Sequence, residues 1–426
     1  MTILIFVGTL LGTMALGMPI AYALILTGVA LMVHLDLFDA QIIAQNLING
    51  ADSFPLMAVP FFMLAGEIMN VGGLSKRIVT LAMALVGHVK GGLGYVAILA
   101  ACILASLSGS AAADAAALSA LLVPMMVRAG HNKARSGGLI AASAIIAPVI
   151  PPSIGLILLG VAGNISITRL FMAGIVPGLL MGISLCVAWW LVARRETVAT
   201  PPRESTQMMV RAFREGFWAL LLPVIIIVGL RFGIFTPTEA GVVAAVYALF
   251  VATVIYRELK LSQLYAVFLA SAKITSMVMF LVAGALVSAW MITIADLPGQ
   301  IIGLLEPFMG SPILLMVVMM LLIVIIGTAM DMVPIILILT PVMLPVATQA
   351  GIDPIYFGVL FVITCSLGLV TPPVGTVLNV VAGVSKINIV DIVKGIWPFL
   401  LAEFIVLLLL ILFPAIVIIP GRWFAG

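Results

Sequence analysis

Residues 147–156 read APVIPPSIGL and residues 368–377 read GLVTPPVGTV, and the Pro-Pro pairs inside them, Pro151-Pro152 and Pro372-Pro373, are 221 positions apart. The same offset relates Pro124 to Pro345, Gly130 to Gly351 and Pro177 to Pro398. Five landmarks held at one spacing are not a chance pattern, and the shared Val-Ala-Gly at 161–163 and 381–383, one residue short of that offset, strengthens the case. The chain is internally duplicated. Each copy carries an apolar segment interrupted by Pro-Pro, the arrangement with which many secondary transporters build a site at the middle of the bilayer.

Composition agrees. A chain of 426 residues that is 64% hydrophobic and 8% charged is no soluble domain, where about a quarter of residues are charged. Its mean hydropathy is +1.36. Backbone in hydrocarbon must satisfy its own hydrogen bonds, and the long Leu, Ile, Val, Ala and Met runs lack the alternation of a membrane barrel, so the expected fold class is all-α and polytopic. No cationic segment precedes the apolar start at Ile3 to Phe6 and no small-residue cleavage site follows it, so this segment reads as a retained span rather than a signal peptide. Cys102, Cys186 and Cys365 lie in apolar runs without CxxC spacing and read as buried thiols. His34, His88 and His131 fall in expected loops or interfaces. With neither HExxH nor GxxxxGK[ST] in the chain, the signatures of a protease and of an ATP-driven pump are missing.

Nine crossings are expected, at 6–33, 54–70, 136–163, 170–193, 217–232, 239–256, 264–295, 355–383 and 396–419. A polar stretch over 194–216, containing Arg194, Arg195, Pro201, Pro202, Arg203, Arg211 and Arg214, separates a first repeat (1–193) from a second (217–426). Two more apolar regions, 94–127 and 313–347, are broken at their centres by Ser108-Gly109-Ser110 and by Gly327-Thr328-Ala329-Met330-Asp331. Their arms have about fourteen to seventeen residues, whereas a span needs roughly 20, which suggests re-entrant hairpins. Charge supports that reading. Lys76, Arg77 and Lys90 precede the first hairpin and Arg128, Lys133 and Arg135 follow it, while the second is flanked by Asp296, Glu306 and Asp353. The first therefore opens to the cytoplasm and the second to the outside, as in an inverted repeat. That topology leaves only Arg169, Arg231, Lys273 and Arg422 of the 19 Lys and Arg away from the inner face, with the amino terminus inside and the carboxyl terminus outside. Segments 74–88 and 297–309 are too short to span and are expected along the interface.

Proline removes a donor and frees carbonyls in the preceding turn. In a bilayer such carbonyls must face protein or a cavity, and there they can hold a dehydrated hard cation, for which Na+ is the natural guest. The candidate ligands are the hydroxyls of Ser108, Ser110, Thr328 and Thr371, the carbonyls of Ala147, Ile150, Gly327 and Gly368, the break residues Pro152 and Pro372, and Asp331. Helix amino termini directed at the same midplane favour an anionic substrate group, with Ser153, Asp114 and Lys273 as candidate contacts. Several of these residues have a second reading. Single Pro and Gly sites can be kinks, and Ser106, Ser108 and Ser110 can be small packing residues. Asp114 can cap the second hairpin arm instead. Lys273 can snorkel to the surface, and Glu67 can be structural.

At these motifs the chain resembles the large membrane subunit of the tripartite ATP-independent periplasmic (TRAP) transporters, within the broader group of ion transporters with paired hairpins. The resemblance runs almost end to end, through Pro60-Phe61-Phe62-Met63-Leu64-Ala65-Gly66, Ser108-Gly109-Ser110, Ile150-Pro151-Pro152-Ser153, Ala173-Gly174-Ile175-Val176-Pro177-Gly178, Thr236-Pro237-Thr238-Glu239-Ala240-Gly241 and Thr371-Pro372-Pro373-Val374-Gly375. It implies Na+-driven uptake of an organic acid across the bacterial inner membrane by an elevator movement, with two Na+ sites between hairpin tips and broken helices. It also implies two partners, a small four-helix membrane subunit and a periplasmic substrate-binding protein. Membrane lipid, and no nucleic acid, is the expected surrounding. Implied substrates are C4-dicarboxylates, sugar acids or sialic acid. An arginine that some sialate-transporting members carry before the second hairpin has no counterpart in the uncharged Trp290 to Ala295. A transporter rather than an enzyme is expected. The alternatives are a stand-alone anion transporter or Na+/H+ exchanger of the same broader fold, and an intramembrane enzyme using Asp114 and Asp331.

Overall fold

A computed structural model describes residues 1–196, 198 and 203–425; Pro201 and Pro202 of the expected linker lie outside the described residues. Among the described residues there are twenty α-helices and no strand. The first half of the chain contains α1 (Thr2–Ala15), α2 (Ile20–His34), α3 (Ala40–Ala51), α4 (Ala58–Val71), α5 (Leu74–Val86), α6 (Gly92–Ser108), α7 (Ala111–Arg128), α8 (Lys133–Ala144), α9 (Ile154–Ala162) and α10 (Ile167–Ala193). The second contains α11 (Thr206–Arg231), α12 (Pro237–Phe250), α13 (Leu261–Ile294), α14 (Leu297–Met309), α15 (Pro312–Gly327), α16 (Met332–Gln349), α17 (Pro354–Gly368), α18 (Thr376–Ser385), α19 (Ile389–Leu412) and α20 (Ala415–Ala425). Among the described residues eight helical segments are long and apolar enough to cross a membrane. The protein is a multi-pass membrane protein.

Helix starts follow side-chain capping, which satisfies amide groups that the first turn leaves free. Ser110 caps α7, Asn132 caps α8, Ser166 caps α10, Ser311 caps α15, Asp353 caps α17 and Asn388 caps α19. Thr236 and Glu239 form a reciprocal capping box at α12. Three expected boundaries change. The span expected over 6–33 is two helices, because Gly17 turns the chain at φ +84 and Pro19 cannot continue a helix. The stretch expected as linker up to residue 216 is helical from Thr206, where Ser205 caps α11. The last expected span stops at Leu412, and α20 follows as a separate helix.

Polar contacts sort the turns onto two ends of the molecule. Lys90 Nζ donates to the carbonyl of Arg194 at 3.2 Å, and His131 Nδ1 lies 2.7 Å from Glu196 Oε2. Arg135 reaches the other Glu196 oxygen at 3.2 Å, and Lys133 Nζ donates to the carbonyl of Lys386 at 3.4 Å. Both ends of the α6–α7 pair therefore meet the carboxyl end of α10. His131 lies in the turn between α7 and α8, buried beside Trp189. At the opposite end, Thr238 Oγ1 donates to the carbonyl of Phe54 at 3.1 Å, and Arg422 lies 3.9 Å from Asp353.

The two halves of the chain interlock. α7 packs on α18, and reciprocally α16 packs on α9, so each tip-bearing arm rests on the half-helix of the other copy. α8 and α19 approach so closely that a Cβ on Gly138 would lie 2.6 Å from the backbone nitrogen of Ile396. Backbone cannot yield as a flexible side chain does, so Gly138→Ala should lower stability by about 1–3 kcal/mol. Gly12 on α1 faces open space, and Gly12→Ala should leave stability unchanged. Thermal unfolding of the detergent-purified variants checks both expectations.

Candidate functional site

The apolar segment around the first Pro-Pro pair is two helices, α8 and α9, separated by residues 145–153, and that around the second is α17 and α18, separated by 369–375. Both Pro-Pro peptide bonds are cis. Ser153 closes the first break: its buried hydroxyl donates to the carbonyl of Pro148 and accepts the amide of Leu156 at 3.2 Å, which caps α9. No donor among the described residues meets the carbonyls of Ala147, Ile150 or Pro152, nor that of Pro372 in the second break. The carbonyl of Gly368 is engaged, accepting the Thr371 amide at 3.1 Å.

The turn between α6 and α7 sits directly on the first break. Gly109 adopts φ +58, and a Cβ there would lie 2.8 Å from the carbonyl oxygen of Pro152. Only glycine tolerates both the left-handed backbone and the approach. Ser108 Oγ accepts the Ser110 amide at 3.2 Å and donates to Asp114 Oδ1 at 2.6 Å. Ser110 is the cap of α7, accepting from Ala113 at 3.4 Å, so Asp114 is not the cap. It is buried one turn inside, and its Oδ2 has no partner.

The second turn meets the second break in the same way. A Cβ on Gly327 would lie 3.0 Å from the Cα of Gly368, and the Gly375 amide donates to the carbonyl of Thr328 at 3.4 Å. The carbonyl of Gly327 has no donor among the described residues. Thr328 Oγ1 donates to Ile325 at 2.8 Å and Thr371 Oγ1 to Leu367 at 2.7 Å. With their protons held by the backbone, both hydroxyls keep lone pairs for a cation. Asp331 occupies the cap position of α16 but makes no capping hydrogen bond.

Both turns and both breaks border one cavity of about 470 Å³. Gly109 and Ser110 come from the first turn and Asp331 from the second, Pro148 from the first break and Leu369 from the second, with Ile154 and Thr376 at the starts of α9 and α18. The opposite wall is α2 and α13, through Tyr22, Met277 and Phe280, with the Tyr22 and Phe280 rings edge-to-face at 5.1 Å. No Lys, Arg or His lines it. None of the three expected substrate contacts is brought here: Lys273 is exposed on α13 outside the lining, Ser153 spends its hydroxyl inside the break, and Asp114 lies off the lining, bonded to Ser108. Among the described residues no three His, Cys, Asp or Glu side chains converge, so a cation held here would rest on carbonyls, hydroxyls and a single carboxylate. That donor set is all oxygen, and it suits a hard monovalent ion better than a transition metal.

Sequence reasoning missed the α2–α13 wall, which depends on contacts between distant segments. It also missed Glu403, buried on α19 with Oε1 3.4 Å from the Ser184 hydroxyl and Oε2 unpaired. An acid within the apolar run after Pro398 was the available signal.

Fold and cavity together define a polytopic, all-helical membrane protein with two interrupted helices. The chain overlays a solved Alcanivorax borkumensis YdaH transporter with a TM-score of 0.63 over 91% of this chain and 90% of that one, at 16% identity, which is a likeness of fold. Residues 7–416 match the family model of the tripartite ATP-independent periplasmic transporter, DctM component. The chain belongs to this family. It is 57% identical to the 2,3-diketo-L-gulonate TRAP transporter large permease protein YiaN of Escherichia coli, covering 99% of this chain and 100% of that protein. It is 37% identical to the sialic acid TRAP transporter large permease protein SiaM of Vibrio cholerae, covering 98% and 97%. It is also 37% identical to the C4-dicarboxylate TRAP transporter large permease protein DctM of Pseudomonas aeruginosa, covering 89% of each.

The glycine contact between turn and break gives a direct test. Gly109→Val should slow transport about tenfold or more, equivalent to roughly 1.4 kcal/mol, with the protein still monodisperse in detergent. Gly383→Ala, where a Cβ meets nothing within 4 Å, should transport normally. Rates in proteoliposomes decide between them.

Proposed function

We propose that this chain is the large membrane subunit of a Na+-coupled importer for an organic acid in the bacterial inner membrane. The observation that carries the reading is the convergence of both helix turns and both Pro-Pro breaks on one cavity. Its volume lies within the roughly 300–1,000 Å³ usual for small-molecule sites. The first Na+ position is formed by Ser108, Ser110 and the carbonyls of Ala147, Ile150 and Pro152. The second is formed by Thr328, Thr371, Asp331, the carbonyl of Gly327 and the second break at Gly368 and Pro372. The α6–α7 and α15–α16 pairs are re-entrant, entering and leaving the membrane on one side each.

Coupling follows from charge. Asp331 faces a cavity that must accept an anion, and no cationic side chain lines that cavity. An anion beside an uncompensated carboxylate is repelled, whereas a cation bound at Asp331 removes the repulsion and adds attraction. Na+ therefore binds before the substrate carboxylate, which then rests near the amino terminus of α7 at Ser110. The substrate is a keto sugar acid, in line with the 57% identical permease named for 2,3-diketo-L-gulonate. Its hydroxyls and keto oxygens fit a cavity whose polar side chains include Ser110, Asp331 and Thr376. Movement of the turns and breaks as one body past α2 and α13 carries the site across the membrane. A periplasmic binding protein delivers the substrate, and a smaller membrane subunit steadies the wall.

The test is uptake by proteoliposomes containing this chain with its small subunit and binding protein. An inward Na+ gradient should drive accumulation of a labelled keto sugar acid ahead of sialic acid and C4-dicarboxylates, and uptake that ignores the gradient would refute coupling. Asp331→Ala and Ser110→Ala should each raise the Na+ concentration for half-maximal uptake about tenfold, the loss of one charge-assisted contact. Single cysteines at the two turns should change their labelling from each side as Na+ is varied.

A further inference from the structure

A groove of about 760 Å³ opens where α5, α11 and the turn after α12 meet, far along the chain from the cavity-lining turns. Arg77, Arg211, Arg214, Glu215, Trp218 and Tyr256 line it. Arg77 is fixed: its guanidinium lies 3.8 Å over the Tyr256 ring and 2.8 Å from Glu258, and its side chain is 19% exposed. Tyr256 is fixed in turn by donating its hydroxyl to the carbonyl of Glu215. Arg211 pairs with Glu215 at 2.9 Å one turn along α11. Arg214 has no acidic partner among the described residues. Three arginines, Arg77, Arg211 and Arg214, line the groove against one acid, Glu215, and that acid is already paired with Arg211 while Arg77 is paired with Glu258.

Next to Arg214 on α11, Phe213 and Phe217 are exposed by 53% and 43%. Water solvates such rings poorly, while acyl chains cover them at no cost. A guanidinium with free donors, an indole and a phenol at one level, and bare rings beside them are the chemistry of the headgroup boundary. Guanidinium forks match phosphate oxygens in pairs, and basic clefts between membrane helices take anionic headgroups. We infer that this groove is a binding site for an anionic glycerophospholipid, its phosphate held by Arg214 and Arg211 and its acyl chains laid along Phe213 and Phe217. A soluble phosphate would offer the same oxygens but nothing for the two rings, so the lipid is the better ligand.

The experiment uses the full chain, purified in mild detergent and stripped of lipid, with binding of added lipid read by native mass spectrometry. Phosphatidylglycerol should bind about tenfold more tightly than phosphatidylethanolamine. The Arg211→Gln, Arg214→Gln double variant should lose that preference, a loss of the size expected when charge-assisted phosphate contacts are removed. Both arginines are exposed, and an unchanged gel-filtration profile and unfolding temperature of the lipid-free variant will confirm that it folds. Arg169→Gln, at the opposite end of the molecule, should bind phosphatidylglycerol as the parent does. Inorganic phosphate at millimolar concentration should not displace the lipid. Equal binding by the double variant, an equal loss in Arg169→Gln, or displacement by inorganic phosphate would each overturn the assignment.

Discussion

The molecule depends on how it handles backbone carbonyls that have no amide to meet them. In hydrocarbon an unpaired carbonyl costs several kcal/mol, and this chain gathers such groups at two proline breaks instead of dispersing them. It closes over each break with a turn so bare of side chain that backbone touches backbone, Gly109 on Pro152 and Gly327 on Gly368. Capping of α7 and α9 by Ser110 and Ser153 fixes those turns at the same point. The result is a polar seam held by packing, with both turns and both breaks bordering one cavity.

That cavity is chemically sparse, and the sparseness sets its behaviour. Its lining holds no positive side chain, and Asp331 is the one carboxylate among the lining residues. Buried Asp114 is tied to Ser108 through one oxygen, leaving the other without a partner. The walls of α2 and α13 contribute mainly rings and methyl groups, which exclude water and thereby strengthen each remaining charge.

The turns and breaks were legible because proline and glycine act locally, and a duplication repeats local signals at one offset. The all-helical membrane fold followed from composition alone. Less was legible where the determinant is distance in three dimensions. Lys273 stood out as a cation within an apolar helix, yet its register on α13 leaves it exposed and off the cavity lining. Ser153 stood out beside Pro-Pro, yet its hydroxyl is consumed by the break itself. The wall residues Tyr22 and Phe280 carry no local mark, since their ring contact joins segments more than half the chain apart. The turn at Gly17 to Pro19 had a local mark that a hydropathy reading passes over, because both flanking helices are equally apolar.

The reciprocal seating of α7 on α18 and of α16 on α9 has a consequence for biogenesis. Neither half owns a finished interior: the amino-terminal half reaches the bilayer with the bed for α7 still unsynthesised. The early half must therefore wait in lipid, with the face of α7 that α18 will cover still bare, until the late half has inserted. Folding is in that sense a joint act of the two copies, and fragments severed near the middle of the chain need each other to mature.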